Sequence, residues 1–78
     1  MTKELYSMFM TSAEADKAKA LLSLDLLGNK GVGIGDHSTE DYYKNAEEAL
    51  SMLVDADDRI TCLNLYYSKF KSKSQING

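Results

Sequence analysis

The residues best able to do chemistry are few. The chain has one histidine and one cysteine. His37 follows Asp36, and a carboxylate beside an imidazole at the entrance to a helix has the means to bind a metal ion or move a proton. Two copies meeting in an oligomer would supply two of each. A lone Asp-His pair also serves as a capping segment that satisfies nearby backbone groups, and that reading is preferred. One histidine and one cysteine do not complete a zinc site within a single chain. Cys62 as a nucleophile needs a base. His37 lies 25 positions earlier, which is roughly 37 Å along a straight helix. Cys62 is therefore read as a buried or half-buried structural thiol.

Around Asp36 and His37 runs "GNKGVGIGDHSTED", with four of the five glycines of the chain. The glycines are spaced G-x-x-G-x-G-x-G. A dinucleotide fingerprint needs G-x-G-x-x-G after a strand, and a P-loop needs G-x-x-x-x-G-K-[ST]. Neither is present, and the preceding segment reads as helix. Ser38, Glu40 and Asp41 would compete with a phosphate for the free amides of the next helix. The stretch reads as a bend in which Val32 and Ile34 tuck into the end of a helical bundle.

The acidic residues Asp41, Glu48 and Asp55 recur every seven positions, and Asp58 follows Asp55 by three. "AEEALSMLVDADDR" has the flavour of the acid groups in all-α nucleotide pyrophosphohydrolases but lacks both E-x-x-E and E-x-x-D. Glu40 with Lys44, and Asp55 with Arg59, have the spacing of i,i+4 surface pairs, so a solvated face is expected. "LNLYYSKFKSK" interleaves aromatics and lysines as single-strand nucleic-acid surfaces do. Helix packing claims Tyr67 and Phe70, however, which leaves Tyr66 to face outward. Lys69, Lys71 and Lys73 suit a helix C-terminus. With a net charge of −3, nucleic-acid contact is not expected.

The elements that would hold these residues are helices. Tyr42, Ala46, Ala49, Leu53, Ala56, Ile60, Leu63, Tyr67 and Phe70 are spaced four, three, four, three without a break. Only a helix puts such a series on one seam. Ser38 is the expected N-cap, with Asp41 three residues on. In the first half, Thr11 and Glu14 have capping-box spacing, and Gly28 is a natural residue to end a helix. Ala15, Ala18, Leu22 and Leu26 line one face there, and Ala13, Ala20, Leu24 and Leu27 much of another. Leu5, Met8 and Phe9 precede on a segment that is either separate or continuous with it. In the second helix Leu50 and Met52 widen the seam, and Asp57 and Asn64, in the column of Leu50, either set its register or face water, the reading preferred here.

A chain of 78 residues forms one domain and buries only about 60% of the surface its unfolded form exposes. Disulfide and metal staples are not on offer, which leaves self-association. Hydrophobic residues make up 44% and charged residues 27%, a globular balance. Proline is absent, which suits long helices. The first ten residues lack the apolar run of a signal peptide, and no apolar segment approaches the roughly 20 residues of a membrane span.

The combination "GVGIGDHSTEDYYKNAEEAL" followed by "VDADDR" resembles small helical proteins of marine tailed phages, over most of the chain. The resemblance implies an accessory role inside an infected bacterium. It assigns no activity and no catalytic residue.

The expected fold is all-α: a single helical domain over residues 1–78. It has a helix over about 2–27, with a break at 10–12 left open, a glycine loop over 28–38, a helix over about 39–71 and a frayed tail over 72–78. The first helix is apolar on more than one side, so two antiparallel hairpins are expected to pair as a homodimeric four-helix bundle. Ala18, Leu22 and Leu26 join the nine-residue seam in the oligomer core. The expected function is non-enzymatic, a module that oligomerises and binds another protein whose identity the residues do not give. The contact surfaces expected are the glycine-loop end and the tyrosine-rich C-terminal region. No cofactor, metal or membrane partner is expected, and the setting is the cytoplasm of a bacterium or infected bacterial host. The competing expectation is a metal-dependent or nucleotide-acting all-α enzyme built on Asp36, His37 and helix carboxylates. A third is a nucleic-acid regulator using the C-terminal lysines.

Overall fold

The computed structural model of the protein describes residues 1–30 and 39–71. They form α1, Lys3–Lys30, and α2, Thr39–Tyr67, followed by one 3-10 turn, Ser68–Phe70. Among the described residues there is no strand.

α1 starts at Thr2. The Leu5 amide donates to Thr2 Oγ1 at 3.1 Å, and the Tyr6 amide donates to the Thr2 carbonyl at 2.9 Å. A side-chain oxygen on the third helical amide is the usual N-cap arrangement. Glu4 adds negative charge to the first turn, where the helix dipole favours it. Two sequence expectations are corrected here. Thr11 caps nothing, because the helix runs unbroken through 10–12. No proline or glycine stands there, and Thr11 and Ser12 are tolerated on an exposed surface at a few tenths of a kcal/mol, about what mid-scale helix formers lose to alanine. Gly28 does not end the helix either, since α1 continues to Lys30. It is exposed, and a side chain built there would meet only open space. Packing therefore does not demand glycine at this position, and the helix absorbs its intrinsic cost of about 1 kcal/mol.

α2 carries Glu40 and Asp41 in its first turn. It stops as α-helix at Tyr67, short of the expected 71, and tightens into the 3-10 turn. The chain then leaves in extended form at Lys71, whose amide donates to the Ser68 carbonyl at 3.0 Å. The tightening brings Phe70 over the start of α1, with ring centroids 5.9 Å from Tyr6 and 6.5 Å from Tyr67.

The two helices are antiparallel. As the α1 partner advances from Tyr6 through Asp16 and Lys17 to Leu27, its counterpart retreats from Phe70 through Arg59 and Asp57 to Tyr42. All nine expected seam residues, eight on α2 and Phe70 in the 3-10 turn, are buried or half-buried. α1 answers with Tyr6, Met10, Ala13, Lys17, Ala20, Leu24 and Leu27, again spaced four and three, and again all buried or half-buried. The deepest positions are mostly small: Ala13, Ala20 and Ala56 are at 0% exposure, with Ala49, Leu63 and Tyr6 close behind. Alanines at the contact let the helix axes approach toward the lower end of the usual range of about 8–10 Å. The result is a seam that is tight but thin.

Candidate interaction surface

Asp36 and His37 lie outside the described residues, as do Ser38, Val32, Ile34 and the expected tail from 72. The site expectations that do fall on described residues concern the seam, the acidic line, Cys62 and the aromatic end of α2.

The strongest polar constellation is a bridge across the hairpin. Arg59 Nη2 donates to Asp16 Oδ2 at 2.7 Å, and Arg59 Nε donates to Asp55 Oδ2 at 3.0 Å. The Asp55–Arg59 pair is the i,i+4 pair expected from sequence; Asp16 joins it from α1. The hydrogen bond to Asp16 and the charges of Asp55 and Asp16 outweigh partial desolvation and push the Arg59 pKa up from its ordinary value. The guanidinium is thus a fixed cation tying two helices together. Lys17 Nζ lies 2.9 Å from Asp57 Oδ1. Asp57 faces solvent as expected and is also ion-paired across the helices. Lys17 sits in the seam with its stem packed and its ammonium at the edge, as long cationic side chains do.

Asp41, Glu48 and Asp55 form the expected exposed acidic column, and Asp58 is exposed beside it. Among the described residues, no three histidine, cysteine, aspartate or glutamate side chains converge as a metal site would need. Cys62 is a free, exposed thiol, which corrects the expectation of a structural one. It belongs to the outer column of α2, away from the seam. Tyr66 faces outward as expected, at 69% exposure, and Lys69 Nζ stands 5.2 Å from the Phe70 ring centroid. At the other end, the Tyr42 hydroxyl donates to the Leu27 carbonyl at 3.2 Å, and its ring meets Tyr43 edge-on at 5.5 Å. Leu27 is one of the last four residues of α1, whose carbonyls have no partner within the helix.

Two shallow grooves flank the seam. One, of about 390 Å³, lies at the open end between Tyr6, Met10, Ile60 and Phe70. The other, of about 480 Å³, lies nearer the linked end between Leu26, Leu27, Ala49 and Met52. The first also takes in Ser7, Thr11 and Glu14, and the second Ser23 and Glu48.

What the hairpin leaves open is apolar surface. Among the described residues thirteen large apolar side chains are exposed, and no polar residue is buried. Several are scattered, as is normal for any surface. The back of α1 is different. Leu5, Met8, Ala15, Ala18, Leu22 and Leu26 are all exposed, on the side of the helix turned away from α2. Ala15, Ala18, Leu22 and Leu26 were legible as a face from sequence. Leu5 and Met8 extend it by almost three turns once α1 is continuous. Tyr6, Met10 and Lys17 are the seam residues that sequence reasoning missed. A lysine in the middle of the stripe hid it, and four-and-three spacing counted with Lys17 included would have found it. No helix among the described residues is long and apolar enough to cross a membrane. The chain matches no family model, no curated protein and no solved structure.

Proposed function

We propose that the chain is a non-enzymatic helical module that self-associates, pairing two hairpins into a four-helix bundle, and that the bundle binds another protein. One observation carries this reading: Leu5, Met8, Leu22 and Leu26 of α1 are large, apolar and exposed in the single hairpin. A core made mostly of alanine offers little compensating burial, and contiguous exposed apolar surface of this kind marks interaction faces. Surfaces left for the second protein are the linked end and the exposed Leu65 and Tyr66. The resemblance to small phage proteins suggests an accessory role in the cytoplasm of an infected bacterium.

The test is sedimentation at micromolar concentration. A dimer is the expected result. A monomer at that concentration overturns the self-associating module.

A further inference from the structure

The groove at the open end of the hairpin brings both signs of charge to an apolar floor. Tyr6 and Met10 from α1, with Ile60 and Phe70 from the other side of the hairpin, form that floor, and all four are buried or half-buried. The rim is polar and exposed. Lys3 and Lys71 stand at the outer end, where α1 begins and the chain leaves the 3-10 turn. Glu14 and Asn64 line the groove further in, each two or more helical turns from the lysine on its own side. Among the described residues neither lysine makes an ion pair, and neither does Glu14.

Cations gather at this end. Residues 1–10 and 64–71 carry Lys3, Lys69 and Lys71 against Glu4 alone, in a chain whose net charge is −3. An anionic group is therefore drawn to the outer end of the groove and turned away from the inner one.

We infer that this groove takes the free C-terminal end of another polypeptide, extended, with its terminal carboxylate at Lys3 and Lys71 and an apolar side chain on the floor of Tyr6 and Phe70. The inference adds a site, and the chemistry of its partner, to the protein-binding part of the reading above, and it does not require hairpins to pair. The order of groups along such a chain fits the groove. The carboxylate comes first, and behind it come main-chain N–H groups that donate to the Glu14 carboxylate and the Asn64 side-chain carbonyl. From Lys3 to Glu14 the helix advances about 16 Å. The side chains at the two ends reach toward each other, which leaves a length for about three or four extended residues at about 3.3 Å each. A groove of about 390 Å³ has the size of a small-ligand site. A fatty acid or a bare phosphate fits less well, because neither offers donors to Glu14 and Asn64, and covering those groups without a partner costs free energy. The second groove has Glu48 as its one charged lining residue and lacks the cations.

The full chain, isotopically labelled, is titrated with the acetylated tetrapeptide Ala-Ala-Leu-Phe, as free acid and as C-terminal amide, and backbone amide chemical shifts are followed. The acid is expected to cause saturable shifts between Lys3 and Glu14 and between Ile60 and Lys71. The amide is expected to bind about ten-fold more weakly, the worth of a charge-assisted hydrogen bond. Lys3→Glu combined with Lys71→Glu, both at exposed sites, should keep the helical circular dichroism of the parent and weaken the acid about ten-fold as well. Lys44→Glu, exposed toward the linked end, should leave affinity unchanged. Equal binding of acid and amide, shifts confined to other surfaces, no saturation at millimolar peptide, or tighter binding of decanoate or inorganic phosphate overturns the site. Sedimentation of the same samples reports pairing separately. A dimer that ignores the peptide overturns this site and leaves self-association standing, and a monomer that binds it does the reverse.

Discussion

Arg59 on α2 and Asp16 on α1 are joined by a 2.7 Å hydrogen-bonded ion pair that closes the hairpin across 43 residues of chain. Both side chains are 38% exposed, so solvent screens the pair. A double-mutant cycle of Asp16→Ala and Arg59→Ala, followed by thermal unfolding, should give a small favourable coupling, as solvent-exposed ion pairs do. The coupling should shrink in high salt. The pH sign follows from the raised Arg59 pKa. A cation held more firmly in the folded chain stabilises it at every pH below the ordinary arginine range, and that stabilisation is lost only in strong alkali. The arginine itself should therefore contribute no slope to stability near neutrality.

The seam alanines set a second expectation. Ala20 is at 0% exposure within the seam between the helices. Ala20→Leu forces extra atoms into that space and should destabilise the hairpin by about 1–3 kcal/mol, as overpacking does. The same substitution at Ala18, exposed on the opposite side of α1, should leave hairpin stability within about 0.5 kcal/mol. Thermal melting of the two variants separates seam from back face.

Tyr42→Phe removes one oxygen and little else. The Leu27 carbonyl loses the hydroxyl that satisfies it. Water substitutes in part at this half-buried site, so the expected loss is about 0.5–1.5 kcal/mol, measurable as a lower midpoint in urea with an unchanged slope.

Much of this architecture is legible in the sequence, and the rest is hidden for physical reasons. The α2 seam was readable because its nine residues are uniformly apolar and none interrupts the four-and-three spacing. α1 was harder because two opposite faces are apolar, so periodicity alone did not say which one meets α2. Lys17 broke the winning face, although its stem packs like an apolar residue. Helix ends were least legible. Thr2 and Thr11 offer the same hydroxyl, and only the capping geometry distinguishes them; Gly28 has the residue type of a stop signal but sits on an open surface that does not require one. Asp16 as the partner of Arg59 had no local signal, because the pair is made across the fold rather than along a helix.

Cys62 gives a check on which surface the proposed self-association covers. The thiol is exposed on α2, away from the seam between the helices. If pairing buries the back of α1, a maleimide should label Cys62 fully in the associated protein, and the labelled protein should sediment as the unlabelled one does. Protection of Cys62 on association would place the contact on α2 instead.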